Sequence, residues 1–449
     1  MPTTRDTATA PAGGLLKVLG VLFGTTMIVS NTIGAGILRT PGDVAASLPS
    51  AAWYLGVWIA GGLYALCGAM TMAELAAMIP KSGGQYVFAR RAFGEYAGFV
   101  IGWTDWISSA AAVAASSIAL GELGNALWPG FPLSATAVAV IMTLSFGAVH
   151  WIGVRSGDVS TQVIGTLKVV TLLAVAAACF LAAPLAVSAN AVTFPVGAAM
   201  AGAMIMALQG VLYTYDGWTG LAYFSGEVRD PRQMPKAMAL GVLTVMAVYL
   251  ALAAAFLHTL GIAGLAGEKF AARAAAEGLF GSTGVRIVSA VMAVSFLGNV
   301  GAVLMSTSRV PFAMAEDGLL PRIVARVNRG GTPDVSLLGS VAVSLLLIVT
   351  GSFASVLALA AFFYVMQYGV SFAALFALRV REPDAPRPYR AIGYPVIPAM
   401  VLVGACAFIV GSFFGDFANT LRSVAVIALS YPVYRVIALV RTRRTAVSG

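Results

Sequence analysis

Charge is scarce in this chain. Its 449 residues include 27 basic and 18 acidic side chains and two histidines. Soluble domains carry about 25% charged residues, so an ordinary water-facing surface cannot be assembled here. Catalytic patterns are missing as well. There is no GxxxxGK[ST], HExxH, GxSxG or CxxC, which leaves nucleotide-driven, zinc-dependent and acyl-transfer chemistry without residues to run on. The three cysteines, Cys67, Cys179 and Cys406, lie inside apolar runs without metal-ligand spacing and read as core residues. An enzyme, a metal and a cofactor are all unexpected. A short apolar stretch followed by a cleavage site is also missing near the N-terminus, so no removed signal peptide is expected.

What is present is apolar length. The chain is 59% hydrophobic, with 49 glycines and a mean hydropathy of +0.89. Glycine at that level suits packed membrane helices. Length alone would fit about three soluble domains; this composition predicts one all-α polytopic membrane protein instead. Twelve segments are long enough to span: 16–48, 51–79, 96–126, 132–152, 160–184, 196–226, 237–262, 284–308, 335–352, 354–379, 394–414 and 417–439.

The net charge of +9 raises nucleic acid as a partner, but the distribution reads as topology. Most of the 27 basic residues fall in the N-terminal segment, the C-terminal end and the gaps after even-numbered spans. The opposite side holds Arg39, Lys269, Arg273, Arg286 and Arg422, and Lys168 lies inside a span. The positive-inside rule puts both termini in the cytoplasm. No nucleic-acid role is expected.

Span 1 contains a misfit. Asn31-Thr32-Ile33-Gly34-Ala35-Gly36 runs through its middle, where glycine costs roughly 1 kcal/mol against alanine in a helix. Glycine also bares backbone N–H groups and lets a ligand approach. Within a bilayer such backbone is tolerated where it lines a cavity. Tyr213-Thr214-Tyr215-Asp216-Gly217 is a second expected break, in span 6. Either break alone reads equally well as helix-packing glycine. Together they are five spans apart, an odd number, so the second half must insert inverted. Paired interrupted spans point to a midplane binding site, and hence to carriage of a small molecule.

The expected chemistry follows from the helix ends. A half-helix starting near Ile37 offers free N–H donors and about half a positive charge to a carboxylate. Half-helices ending near Thr32 and Tyr213–Thr214 offer carbonyls to an ammonium. A carboxylate and an ammonium side by side describe an α-amino acid; a polyamine would use the carbonyls alone.

Ionisable groups at depth are functional candidates, since each costs about 2.5–3.5 kcal/mol to insert. Lys168 lies about nine residues into span 5, roughly 14 Å deep at 1.5 Å per residue. It reads as a fixed or titrating charge beside span 1, or as a static tether between helices. Asp105, at similar depth in span 3, reads as an interhelical hydrogen bond ahead of a substrate contact. Asp216 reads as a cap on the second half of span 6, ahead of a partner for the substrate ammonium. His258, near the outer end of span 7, reads as an interface residue. Two basic-side loops look ordered. In 227–236, Pro235 suits the first position of the next helix, and 308–321 fits a short helix ended by Gly318.

In this order the motifs resemble the amino acid–polyamine–organocation (APC) transporters, especially the L-type and bacterial neutral amino acid branch. The resemblance covers roughly 15–395. It rests on 31–41 (NTIGAGILRTP), 74–86 (ELAAMIPKSGGQY), 102–106 (GWTDW), 166–169 (TLKV) and 215–218 (YDGW). It continues through Glu227…Pro231-Arg232…Pro235, Ser308-Arg309…315–321 (AEDGLLP), 387–390 (RPYR) and 393–395 (GYP). It implies 12 transmembrane helices: a 5+5 inverted-repeat core (15–185 and 195–380), two further helices in 393–440, and cytoplasmic tails 1–14 and 441–449. It also implies that N–H groups of Gly34, Ala35 and Gly36 hold the carboxylate, and that carbonyls of Thr32, Tyr213, Thr214 and Asp216 hold the amine. Asn31 falls near the substrate. Tyr213 closes the outer gate, Lys168 takes the place of a sodium ion, and Tyr249 secures span 1. Three positions depart from the pattern: Ala35 stands where Ser or Thr is frequent, Tyr213 where Phe is common, and Asp216 where many relatives are apolar or glycine.

The expected protein is a bacterial inner-membrane permease. It carries a neutral amino acid by alternating access, as an exchanger or proton-coupled symporter, in a lipid bilayer. The rivals are a polyamine or cationic amino acid antiporter on the same fold, and a non-transporting membrane subunit or sensor.

Overall fold

The computed structural model describes residues 20–448 other than 82, 129, 131, 153–156, 186–196, 198 and 329–330, with side chains described outside 157–164, 226–227 and 442–448. The expected N-terminal tail 1–14, the opening residues of both halves, Arg155 and Arg329 lie outside the described residues.

Helices dominate because the spans bury their backbone polar groups internally, as hydrocarbon requires. Span 1 is α1 (Val21–Thr32), α2 (Ala35–Arg39) and α3 (Pro41–Ala46). Then come α4 (Ala51–Met78), α5 (Gln85–Phe93), α6 (Glu95–Leu127), α7 (Ala135–Ile152) and α8 (Gly157–Leu181). The next is α9 (Ala199–Tyr215), followed by a 3-10 segment, Trp218–Glu227. The rest are α10 (Met234–Leu265), α11 (Ala271–Thr307), α12 (Arg309–Glu316), α13 (Asp334–Thr350), α14 (Phe353–Arg381), α15 (Val396–Gly415) and α16 (Phe417–Ser448). Among the described residues, nine helical stretches are long and apolar enough to cross a membrane, and three shorter apolar helices accompany them: Gly165–Leu181, Ala199–Tyr215 and Asp334–Thr350. The chain is a polytopic membrane protein.

The span limits expected from hydropathy match closely from α4 onward, except that α11 starts at Ala271 rather than at 284, with non-helical backbone at Gly281, and α16 runs to Ser448 rather than 439. Four further details differ. The second half of span 1 begins at Ala35, not near Ile37, because the extended backbone at Ile33 and Gly34 lets a new turn start at once. The span 6 break is confined to Asp216-Gly217, so Tyr213, Thr214 and Tyr215 form the last turn of α9 rather than the gap. Pro235 is the second residue of α10, after Met234. The amphipathic α5 between spans 2 and 3 was not expected. The short helix in 308–321 is α12, and Gly318 beyond it adopts φ +78°.

Helices α6 and α14 form the centre. α6 packs against α11, α14 and α7, and α14 against α6, α15 and α9. Helix α1 lies between α10 and α8. This packing puts the breaks of spans 1 and 6 side by side.

Candidate functional site

The α1 helix stops at Thr32 because Ile33 turns to φ −74°, ψ 96°. The carbonyl of Ile33 therefore points out of the helix, and Lys168 Nζ of α8 donates to it at 3.0 Å. The hydroxyl of Tyr249, on α10, donates to the carbonyl of Thr32 at 2.7 Å. Two separate helices thus fasten the broken end of span 1. Lys168 and Tyr249 are both buried, and neither lines the cavity described below.

The partner break works differently. Gly217 has φ +115°, in the left-handed region that glycine alone adopts cheaply. A β-carbon there would lie 2.6 Å from Thr32 Oγ1 and 2.7 Å from Thr32 N. The two broken chains therefore touch backbone to backbone. A similar contact occurs at Gly36, whose β-carbon would lie 2.7 Å from Thr214 Oγ1. The Thr214 hydroxyl pairs with Thr40 Oγ1 at 2.9 Å, stitching α9 to the second half of span 1.

Asp216 does not cap the segment after the break. That segment starts after Gly217 without a side-chain cap. Instead the carboxylate accepts the hydroxyl of Tyr368 on α14. Gly217, at φ +115°, separates α9 from the 3-10 segment, and Tyr368 of α14 supplies the hydroxyl that the Asp216 carboxylate accepts. Asp105 on α6 accepts from Tyr223, with 2.7 Å to each carboxylate oxygen. That is an interhelical hydrogen bond, as its position suggested. His258 Nε2 sits 3.3 Å from the carbonyl of Ala182 beside the Phe180 ring, an interface contact between spans.

Around the breaks lies a cavity of about 880 Å³. Asn31, Thr32, Gly34, Ala35, Gly36, Tyr213, Thr214, Asp216 and Asp105 all line it. The uncapped N–H groups of Ala35 and Gly36 open α2 at its wall, where a helix start favours anions. The cavity reaches the surface at Arg309, Glu316 and Val327, which are exposed.

The opposite end is shut. Tyr213 meets Phe353 edge-on, with centroids 6.4 Å apart. The Arg39 guanidinium covers Phe353 at 4.7 Å and pairs with Glu122 at 3.0 Å and Asp43 at 2.8 Å. Tyr213, Phe353 and Arg39 are all under 8% exposed. Among the described residues, the site is therefore open only on the Arg309 side.

Several lining residues had not been singled out: Ser109 on α6, Asn299 on α11, Tyr364 and Gln367 on α14, and Tyr223. Asn299 and Gln367 carried a readable signal, because an amide inside an apolar span needs a partner or a purpose. Tyrosine and serine in a span carry little such signal.

Comparison with known proteins gives a consistent result. The amino acid permease family pattern matches residues 19–439. The serine/threonine exchanger of Bacillus subtilis is 30% identical over 433 residues, covering 94% of this chain and 97% of that protein. The large neutral amino acids transporter small subunit 2 of Mus musculus is 29% identical over 420 residues, covering 88% of this chain and 77% of that protein. An uncharacterised transporter of Mycobacterium tuberculosis is 29% identical over 438 residues, covering 96% and 93%.

Proposed function

Because this chain belongs to the amino acid permease family, and is an amino acid transporter rather than an enzyme, we propose that it carries a neutral α-amino acid bound between the breaks of spans 1 and 6. The carboxylate sits on the N–H groups of Gly34, Ala35 and Gly36, with Asn31 nearby. The ammonium sits between the carbonyls of Thr32 and those of Tyr213, Thr214 and Asp216. Lys168 supplies a fixed cation at the end of α1, in the role a sodium ion plays elsewhere, and Tyr249 holds the same end in place. The observation that carries this reading is the cavity itself, because both helix breaks and every substrate-contact residue expected from the sequence line it.

The nine long and three shorter apolar helices among the described residues support twelve spans; we read these as two inverted halves (15–185 and 195–380) followed by two helices. The basic loops then face the cytoplasm with both termini, in a bacterial inner membrane. On that orientation the cavity opens inward and Tyr213, Phe353 and Arg39 form the closed outer gate. Transport proceeds by alternating access without ATP. The name of the Bacillus relative favours exchange over proton-coupled symport.

A cationic substrate or polyamine is the second reading, since Asp105 and Asp216 both line the cavity. Each already accepts a tyrosine hydroxyl, which favours the neutral substrate.

The test is uptake by the purified protein in liposomes. Labelled alanine, serine, threonine, leucine and phenylalanine are offered with and without internal amino acid. Uptake of at least one, faster against internal amino acid, supports the reading. Failure of all five, or uptake of polyamines alone, overturns it.

A further inference from the structure

Asn299 lies on α11, is 6% exposed and lines the cavity. Its amide nitrogen donates to Ser116 Oγ of α6 at 2.7 Å. Its amide oxygen is buried and has no hydrogen-bond partner among the described residues. Buried acceptors are nearly always paired, so this oxygen calls for an explanation. Its place is informative. A β-carbon on Gly34 would lie 2.8 Å from Nδ2 and 3.1 Å from Oδ1, so the amide stands directly against the break of span 1.

The ligand chemistry follows by elimination, resting on the function proposed above. An acceptor beside a bound carboxylate repels that carboxylate and requires a donor. An α-amino acid has two kinds of donor, its ammonium and its side chain. The ammonium is directed to the carbonyls at the ends of α1 and α9. A hydroxyl on the β-carbon is the side-chain donor held nearest the carboxylate. An apolar side chain in that position would bury Oδ1 without a partner, and such a site discriminates strongly against the analogue lacking the hydroxyl.

We propose that Asn299 is a specificity-determining residue whose amide oxygen accepts the side-chain hydroxyl of a β-hydroxy α-amino acid, with Ser116 holding the amide in that orientation. The site then selects serine and threonine over their isosteres.

The experiment uses the full chain in liposomes and isosteric pairs: L-threonine against L-valine, and L-serine against L-2-aminobutyrate. O-methyl-L-serine is added because it keeps the oxygen but has no O–H. Wild type is expected to prefer the hydroxylated member by about tenfold or more and to reject O-methyl-L-serine. Asn299→Leu brings both ratios near one, and Ser116→Ala lowers them by letting the amide rotate. Equal uptake of threonine and valine by wild type overturns the inference, and so does a wild-type ratio retained in Asn299→Leu. If that variant does not fold, the wild-type pairs and Ser116→Ala decide the matter. These outcomes leave the transport reading intact. Failure to carry any α-amino acid overturns both.

Discussion

Lys168 donates from Nζ to the carbonyl oxygen of Ile33 at 3.0 Å, across 135 residues of chain. Ile33 is where α1 ceases to be a helix, so a buried cation on α8 is fixed to the broken end of span 1. The proposed role of Lys168 as a stand-in cation rests on that contact. Losing a buried hydrogen bond from a charged group costs roughly 1.5–3 kcal/mol. Lys168→Ala and Lys168→Met are both expected to slow uptake by about tenfold or more, read as initial rates in liposomes. Full activity in Lys168→Met would mean that the aliphatic stem suffices.

Tyr249 makes the neighbouring bond, to the Thr32 carbonyl at 2.7 Å. Tyr249→Phe removes one neutral hydrogen bond, worth about 1 kcal/mol. The expected result is about fivefold weaker ligand binding with the fold retained. A ligand-dependent thermal shift measures it, since a bound ligand stabilises by mass action.

The close approach of the two breaks makes glycine obligatory at two positions. Gly36→Ala would press a β-carbon to 2.8 Å from Thr214 Cα, and Gly217→Ala to 2.8 Å from Thr32 Cα at φ +115°. Overpacking of this kind costs about 1–3 kcal/mol, and here it would push the two chains apart at the site. Both variants are expected to lose uptake. Gly56→Ala has nothing within 4 Å and is expected to transport like wild type.

A fourth prediction concerns pH, outside the membrane. Asp317 follows α12 and accepts from Tyr86 of α5 at 2.6 Å and Lys81 at 2.9 Å, with Arg90 at 2.7 Å. Burial alone would raise its pKa. The hydrogen bonds from Tyr86 and Lys81 and the charges of Lys81 and Arg90 outweigh burial and hold it below 3.8. A depressed carboxylate stabilises the fold fully above its unfolded value and loses that contribution as pH falls through the folded one. The Tm difference between wild type and Asp317→Asn is therefore expected to stay constant from about pH 7 to about pH 5 and to shrink only below pH 3.8. Shrinkage already near neutral pH would contradict it.

Much of this was legible in the residues, for reasons that can be named. Span positions follow from hydropathy, because lipid permits few alternatives to a helix. The break at Gly34 was visible because glycine pairs are costly in a helix, and Lys168 because a charge is costly in a bilayer. Asp216 was misread as a cap because its true partner, Tyr368, lies 152 residues further on, and an acidic residue before a helix looks the same with or without a distant hydroxyl. The sequence places the end of the first half-helix of span 6 near Tyr213–Thr214; α9 runs on to Tyr215, and the contacts Tyr213–Phe353, Thr214–Thr40 and Tyr215–Trp58 hold that turn. Asn299 was missed because its meaning lies in its contact with Ser116 of another helix and with Gly34 in the break of span 1.

The central claim is that an amino acid sits at the two breaks, in a cavity open only on the Arg309 side. The most direct measurement uses Ala112→Cys, which lines that cavity, in a chain whose Cys67, Cys179 and Cys406 are replaced by alanine. A membrane-impermeant thiol reagent is applied from each side in turn. The account predicts labelling from the side of the basic loops and slower labelling when a transported amino acid is present. Labelling that no amino acid slows, or that proceeds only from the Arg39 side, would contradict it.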